Sequence, residues 1–248
     1  MCRHLGYLGP ACAVSEPVMR GPRSLFRQAW APTDMRGGGT INADGFGVAW
    51  WASAEWADAA ARRYRSAAPI WTDPAVPEVL SQIQATGILA AVRSATVGMP
   101  VERSACAPFT HGKWAFSHNG VVPEWRKTVG AIAADLGNID LLDLEAATDS
   151  AALWLLLQRA LTTDDAKAAV VDVVERVVSL APDARLNLVL GDGEQLWATT
   201  YYHSLSVLVD DASVCVASEP YDDNPAWQAI PDRSVIVARP GYLTVEQI

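Results

Sequence analysis

The sequence predicts an α+β fold in which mainly antiparallel sheet is layered with helices. Short apolar runs bounded by turn residues recur along the 248 residues, and several neighbouring runs are separated by hairpin-type turns. Stretches with helix-capping residues fall between these runs. Consecutive hairpins give antiparallel pairing, and helices must cover the apolar face of such a sheet. These patterns favour the layered class and leave the strand order open.

Three hairpins are predicted near the end of the chain. Gly191-Asp192-Gly193-Glu194 forms the first turn, Asp210-Asp211 begins the second, and Arg239-Pro240-Gly241 forms the third. The strands that they join are 186–190 with 195–199, 206–209 with 214–217, and 235–238 with 242–245. Earlier strands are expected at 46–51, 88–94 and 114–117.

Helices are expected where a capping residue precedes a helix-forming stretch. The two capped candidates run from Thr148 or Asp149 to Arg159, and from Asp164 or Asp165 to about Leu180. Two shorter candidates lie at 24–30 and 74–84. Roughly four helices would therefore cover the sheet. No repeat or long linker interrupts the chain, so residues 1–248 are expected to form a single domain.

Composition excludes several classes of function. Half of the residues are hydrophobic and 19% are charged, so a sizeable core can form. A net charge of −9 without a basic block argues against nucleic acid and anionic membrane surfaces as partners. No apolar run approaches the roughly 20 residues of a membrane span. The N-terminus lacks the pattern of a secretory signal, so a cytoplasmic protein is expected.

Cys2 is the most informative single residue. The cysteines (Cys2, Cys12, Cys106 and Cys215) are scattered without a CxxC pair, and free thiols are expected in a reducing compartment. If Met1 is removed, Cys2 carries both a thiol and a free α-amine. An α-amine with a pKa of about 7.7–8.0 can serve as general base for its own nucleophile. A second-position cysteine also arises by chance, so the hypothesis needs supporting residues.

Three other places supply such residues. Arg93 and Thr96 follow an apolar strand, where a guanidinium fork and a hydroxyl can bind a carboxylate; a surface salt bridge is the alternative for Arg93. Asn119 and Gly120 follow a second strand and can donate to an oxyanion, or they form an ordinary turn. Asp149 opens a helix, where it can hold a substrate ammonium or act only as an N-cap.

Together these residues resemble the class II glutamine amidotransferases, which are N-terminal-nucleophile (Ntn) hydrolases. The family's nucleophile, α-carboxylate-binding pair, oxyanion pair and α-amine-binding residue match, in chain order, Cys2, Arg93 with Thr96, Asn119 with Gly120, and Asp149. Residues 42–47 resemble the glycine-bearing strand beneath the family's site. The resemblance implies a four-layer αββα sandwich of two mainly antiparallel sheets. No cofactor is expected.

A closer resemblance is to one branch of the family, the ergothioneine-biosynthesis amidohydrolases. It is carried by residues 1–7, 42–47, 92–96 and 217–220. Ser94 and Val97 stand where the wider family has Trp and His, which argues against plain glutamine as substrate. The branch implies a γ-glutamyl-hercynylcysteine S-oxide substrate, whose leaving half carries a trimethylammonium and an imidazole. Aromatic faces and carboxylates suit such a cation, and the candidates are Trp71, Trp114, Glu219 and Trp227.

The sequence also bears on functions other than hydrolysis. The glycines of Gly37-Gly38-Gly39-Thr40 lack the lysine of a nucleotide-binding loop, so a complete synthase is not expected. A glutaminase subunit that delivers ammonia to a separate synthase and a non-catalytic γ-glutamyl-binding module remain alternatives. A metal site is not expected, because Cys2-x-His4 is the only close pair among Cys2, His4, His111, His118 and His203. His118 is expected to orient the oxyanion turn or to be paired in the core.

Overall fold

Two antiparallel sheets stack face to face, and helices cover their outer sides. The computed structural model describes residues 2–34, 36, 41–52, 60–137, 141–162 and 165–248. The strands are β1 (Arg3–Ala13), β2 (Phe46–Trp51), β3 (Arg62–Ser66), β4 (Gln84–Val92), β5 (Phe109–His111), β6 (Trp114–Val121), β7 (Arg185–Gly191), β8 (Leu196–Thr200), β9 (Ser206–Val209), β10 (Val214–Ala217), β11 (Gln228–Ala229), β12 (Ser234–Arg239) and β13 (Tyr242–Gln247).

The α-helices in the described residues are α1 (Ser15–Met19), α2 (Leu25–Gln28), α3 (Ala75–Glu78), α4 (Trp125–Leu136), α5 (Asp149–Ala160) and α6 (Ala166–Leu180). Single 3₁₀ turns lie at Ile70–Thr72, Leu80–Gln82, Arg103–Ala105 and Leu141–Asp143. One sheet has the strand order β11-β9-β10-β1-β4-β2-β3, and the other has the order β13-β12-β8-β7-β6-β5. This architecture confirms the predicted α+β sandwich of two antiparallel sheets.

The local predictions that depended on turns are confirmed. Strands β7 with β8, β9 with β10, and β12 with β13 pair as the three expected hairpins. Thr148 caps α5 by accepting a hydrogen bond from the amide of Ala151, and Asp165 caps α6. Asp164 lies outside the described residues, as do Gly37-Gly38-Gly39-Thr40.

Several expectations about element boundaries are wrong. Asn119 and Gly120 do not form a turn: they lie inside β6, because pairing with β7 continues as far as Val121 opposite Arg185. The helix expected at 74–84 is only the short α3 followed by a 3₁₀ turn, since Gln84 already pairs with the end of β1. The helix expected at 24–30 shortens to α2.

Helix α4 was not predicted from the sequence. Its N-cap residue, Glu124, has a left-handed backbone (φ 47°) and makes no side-chain capping hydrogen bond. The usual signal of a Ser, Thr, Asp or Asn cap is therefore missing at this helix. With α4 included, three long helices cover the second sheet.

Alternation along the strands divides the buried side chains among three apolar layers. Leu8 of β1 and Ala115 of β6 pack between the sheets, whereas Leu5 and Tyr7 face α1 and α2 on the outer side. Phe116 faces the opposite way from Ala115 and packs under the long helices. Even-numbered residues at the start of β1 and odd-numbered residues of β6 therefore point into the gap between the sheets.

Replacing Gly47 of β2 with alanine is expected to lower the free energy of unfolding by about 1–3 kcal/mol. The added Cβ would lie 2.4 Å from the carbonyl oxygen of Ala107 and 2.9 Å from Cγ of Arg65. Urea denaturation measures the change. Gly130→Ala is the matched control, because a Cβ there meets nothing within 4 Å and a helical alanine should stabilise by up to ~1 kcal/mol. Equal effects of the two substitutions would contradict the steric explanation.

Candidate active site

Cys2 lies at the start of the central strand of the first sheet. Arg3 pairs with Val92 at the end of β4, and the backbone of His4 exchanges hydrogen bonds with Ser218 just beyond β10. The first residues of β1 are therefore held from both sides. The Cys2 side chain is half-buried, and its Sγ lies 3.8 Å from the carbonyl oxygen of Ser94. The thiol thus sits beside the loop that follows β4.

That loop presents Arg93. Its backbone is fixed by two hydrogen bonds, from Arg93 N to the Gly45 carbonyl (2.8 Å) and from Asp44 N to the Arg93 carbonyl (2.9 Å). The guanidinium is buried, and Nη1 donates to the carbonyl of Pro100 at 2.9 Å. Within the described residues its hydrogen bonds use only Nη1, so the rest of the fork is available to a ligand. Thr96 lies on the same loop and is exposed.

Residues 42–47 form the support expected beneath this loop. Gly45 has φ +111°, a conformation that favours glycine, and a Cβ there would lie 2.4 Å from Sγ of Cys106. The Asp44 carboxylate accepts a 2.7 Å hydrogen bond from the amide of Ala95. The turn before β2 therefore holds the Arg93 loop in place.

A buried contact between the sheets brings β6 to the same place. Nδ1 of His4 lies 3.3 Å from Oγ of Ser117. Cys2 precedes His4 by two residues on the same face, and Asn119 follows Ser117 by two residues on the same face. Because Leu8 and Ala115 share the inner core further along, the strands run in opposite directions across the gap. This register places Cys2 and Asn119 at the same open end of the sandwich.

Asn119 is fully buried, and neither its amide nitrogen nor its oxygen has a hydrogen-bond partner in the described part of the chain. A buried amide without partners costs about 1–3 kcal/mol, and the Asn119 amide is therefore free to hydrogen-bond a ligand. Gly120 follows with no room for a side chain: a Cβ would lie 1.8 Å from the carbonyl oxygen of Arg185.

Asp149 connects α5 to the end of β6. It is buried, Oδ2 accepts from the amide of Val122 at 3.0 Å, and Oδ1 accepts from Ser150 at 2.8 Å. Asp149 is thus the first helical residue, and Thr148 performs the capping. His118 is paired in the core, where Nδ1 meets Ser150 Oγ at 2.9 Å and Nε2 meets the Arg185 carbonyl at 2.8 Å. The carboxylate therefore lies directly beyond the Asn119-Gly120 pair.

The buried histidines of the gap are neutral at physiological pH. Burial lowers the pKa of His4 to about 3, with smaller contributions from the charges of His118, His203 and Arg3. Burial also lowers the pKa of His203 to about 3, assisted next by the charge of Arg185. Nε2 of His4 and Nδ1 of His203 have no partner among the described residues. The gap beside Cys2 therefore contains polar side chains that carry no charge.

The four residues proposed for the outer pocket do not share one location. Trp114 begins β6, about 17 Å along the strand from Asn119, and packs on Trp197. Trp71 packs edge-on against Trp30, and Trp227 packs edge-on against Tyr221. Trp114 therefore lies away from the site, and Trp71 and Trp227 each belong to an aromatic pair.

Glu219 is the candidate that hydrogen bonds connect to the start of β1. It is buried next to Ser218, the residue that binds the backbone of His4. Its carboxylate accepts hydrogen bonds from both the amide and the hydroxyl of Thr33, and from the amide of Asp34 at 2.7 Å. Arg3 Nη2 in turn donates to the Asp34 carbonyl. Glu219 thus fixes the segment that borders the site.

Sequence reasoning missed Ser117, Ser218 and Asn187, which build the site from behind. Asn187 pairs opposite Asn119 and binds the backbone of Tyr201 and His203. Alternation along β6 could have indicated Ser117. Asn187 lies on β7 and Ser218 follows β10, and the neighbours of these strands in the sheets were not known from the sequence.

Within the described residues, no group of three or more His, Cys, Asp or Glu side chains is placed to hold a metal ion. In the same part of the chain, no helix is both long and apolar enough to cross a membrane.

The sequence model of the class II glutamine amidotransferases matches residues 27–211, and the chain belongs to this family. Two relatives are named gamma-glutamyl-hercynylcysteine sulfoxide hydrolase. The one from Mycolicibacterium smegmatis is 38% identical over 99% of both chains. The one from Mycobacterium tuberculosis is 41% identical over 95% of this chain and 92% of the relative.

A solved structure supports the fold independently. A glutamine aminotransferase class-II domain protein from Silicibacter pomeroyi superposes with a TM-score of 0.70. The superposition covers 99% of this chain and 98% of that chain at 20% sequence identity. At that identity the likeness concerns the fold, which is that of an Ntn hydrolase.

Lowering the pH from about 6.5 towards 3 is expected to reduce the free energy of unfolding. Unfolded histidines have a pKa of about 6.5, so in this window the unfolded chain binds protons that the folded His4 and His203 do not. Their stabilising contribution is fully present above pH ~6.5 and falls by about 1.4 kcal/mol per pH unit for each histidine.

Urea denaturation between pH 7 and pH 4 measures this slope. His4→Gln should remove one histidine's share of it. His111→Gln is the control, because His111 is exposed and its replacement should leave the slope unchanged. An unchanged slope in His4→Gln would contradict the assignment of a buried, neutral His4.

Proposed function

We propose that this protein hydrolyses the γ-glutamyl amide of γ-glutamyl-hercynylcysteine sulfoxide, releasing glutamate and hercynylcysteine sulfoxide. The observation that carries the proposal is the identity of 38–41% to sulfoxide hydrolases over nearly the full length of both chains. The site described above supports it, because a thiol, an unpartnered buried amide, a guanidinium and a carboxylate converge at one end of the sandwich.

Cys2 is the proposed nucleophile. Once Met1, which lies outside the described residues, is removed, the α-amine of Cys2 takes the thiol proton and the thiolate attacks the γ-carbonyl carbon. Asn119 and Gly120 are proposed to bind the oxygen as it gains negative charge. The tetrahedral intermediate collapses as the leaving amine takes the proton from the α-ammonium. Water then attacks the γ-glutamyl thioester, and glutamate leaves.

Arg93, Thr96 and Asp149 are proposed to hold the glutamate half. The free part of the Arg93 fork matches a carboxylate, and the Thr96 hydroxyl can add a donor. Asp149 offers a buried carboxylate to the substrate ammonium. Binding at both ends of the amino acid would fix the γ-carbonyl carbon next to Cys2.

The leaving half is proposed to be a cationic betaine. Glu219, a buried carboxylate next to Ser218, is the favoured candidate for this half, whereas Trp71, Trp114 and Trp227 each pack against another aromatic ring. A cytoplasmic location is proposed with it. An ammonia-delivering role is less well supported, because the two relatives that match nearly end to end are named hydrolases.

Cys2→Ala is expected to abolish glutamate release from the sulfoxide substrate, because no other group forms the thioester. Cys12→Ala is the matched control, since Cys12 lies in the same strand and is also half-buried. Glutamate release is measured by a coupled assay. If the unaltered protein hydrolyses glutamine at a comparable rate, the proposed substrate is contradicted. The assignment of Cys2 as the nucleophile is not affected by that result.

The nucleophile has its own test in intact mass after treatment with a diazo-norleucine-type glutamine analogue. The expected product lacks Met1 and carries one adduct on Cys2. A protein that keeps Met1 and gains no adduct would instead indicate a non-catalytic γ-glutamyl-binding module.

Asp149→Asn is expected to lower kcat/KM by about 10- to 100-fold, since it removes a charge-assisted hydrogen bond to the substrate ammonium. The effect should appear mainly in KM. Asp165→Asn is the control, because Asp165 also stands at a helix N-terminus but caps α6 on the exposed surface. Steady-state kinetics on the sulfoxide substrate measure both variants, and a loss confined to thermal stability would argue against a binding role for Asp149.

A further inference from the structure

Arg185 lies at the mouth of the gap, on the same face as Asn119. It begins β7 and pairs with Val121 of β6. Val189 further along β7 packs in the inner core, so Asn187 and Arg185 share its face by alternation. The Arg185 carbonyl also accepts from His118 and leaves no space for a Cβ on Gly120. The backbone of Arg185 is therefore fixed directly beside the oxyanion pair.

The guanidinium of Arg185 has no acidic partner in the described part of the chain. It donates no hydrogen bond there, and no carboxylate oxygen lies within 4.0 Å of it. By contrast, Arg63 and Arg65 both bind Glu145. The chain has 28 acidic and 19 basic residues, yet this half-buried guanidinium has no carboxylate partner among the described residues. Its charge acts inside the site, because it contributes to the lowered pKa of His203.

Tyr202 holds this guanidinium in place. The Arg185 Cζ lies 4.1 Å from the centre of the Tyr202 ring, and that ring meets the His203 ring edge-on at 5.0 Å. Tyr202 has φ +93°, which costs a non-glycine residue about 1–3 kcal/mol. The strained turn is held on both sides, by Asp232 Oδ1 at 2.7 Å from the Tyr202 amide and by Arg36 Nη1 at 3.0 Å from its carbonyl.

The chemistry of the substrate supplies the missing anion. In a γ-glutamyl amino acid, the scissile nitrogen belongs to the leaving amino acid, whose α-carboxylate is two bonds away. With the carbonyl oxygen at Asn119 and Gly120, that carboxylate falls near the edge of the oxyanion pair. The carboxylate of the glutamate half is already assigned to Arg93 in the other sheet. Glutamine, whose leaving group is ammonia, has no second carboxylate.

We infer that Arg185, stacked on Tyr202, binds the α-carboxylate of the leaving amino acid and so selects γ-glutamyl amino acids over glutamine. This inference rests on the proposed function for the position of the scissile bond. It assigns to the two halves of the substrate one arginine each, from opposite sheets. A planar guanidinium supported by a ring is preorganised for a bidentate contact with a carboxylate.

A matched pair of substrates tests the inference. γ-Glutamyl-S-methylcysteine carries the leaving-group carboxylate, and γ-glutamyl-S-methylcysteamine is identical except that it lacks it. The unaltered protein should favour the first by about 10- to 100-fold in kcat/KM, as expected for a charge-assisted contact. In Arg185→Gln the ratio should fall to within about threefold of one. A merely structural role would not change this ratio, because damage to the fold affects both substrates alike.

Arg239→Gln is the control, since Arg239 also stacks on a tyrosine, at 4.9 Å from the ring centre of Tyr242 in the β12–β13 hairpin. That variant should keep the full preference. The inference is overturned if the unaltered protein does not distinguish the pair, if it hydrolyses neither member, or if Arg185→Gln keeps the preference. If the unaltered protein shows the expected preference within the pair but does not hydrolyse the sulfoxide, only the proposed function is contradicted.

Discussion

The pairing of β1 with a strand on each side is the constraint on which the rest of the site depends. β1 is the central strand of its sheet, so the beginning of the chain lies inside the fold and not in a frayed tail. An N-terminal nucleophile that uses its own α-amine requires an ordered N-terminus. The thiol, the α-amine and the substrate carbonyl must be held in fixed positions relative to one another. Backbone pairing of Arg3 with Val92 and the contacts of His4 with Ser218 provide that order at the start of β1.

The gap between the sheets combines two opposing requirements. Towards Leu8 it is filled with apolar side chains, which hold the sheets together. Towards Cys2 it contains His4, Asn119 and Asn187, all buried. Burial there favours neutral groups, so the floor of the site offers dipoles and no fixed charge. Charged side chains lie at the border of this region, among them Arg93, Asp149 and Arg185, where a zwitterionic substrate is proposed to bind.

Local sequence patterns predicted the parts of this fold that are determined by residues close together in the chain. The three hairpins followed from their turns, and α5 and α6 followed from Thr148 and Asp165 as caps. The prediction failed where distant partners decide: Asn119-Gly120 is a good turn sequence, yet pairing with β7, some 67 residues away, extends the strand through it. Helix α4 was not predicted because its N-cap residue, Glu124, is left-handed and is not one of the usual capping residues.

The candidate site was predictable in part for a related reason. Cys2, Arg93, Asn119, Gly120 and Asp149 belong to a family pattern that survives in order along the chain. The outer pocket has no such pattern, so aromatic content was a poor guide. Trp114 illustrates this, because it begins β6 and lies about 17 Å along the strand from Asn119. Arg185 could not be found from sequence, since its position depends on the register between two strands.

The contact between His4 and Ser218 has a consequence for the order of synthesis. The two residues are 214 positions apart, so the ribosome makes Cys2 and His4 long before Ser218. At a translation rate of about 5–20 residues per second, roughly ten to forty seconds pass between the synthesis of Cys2 and that of β10. A nascent chain therefore carries the Cys2 thiol without its neighbouring strand until residues 214–218 have been translated.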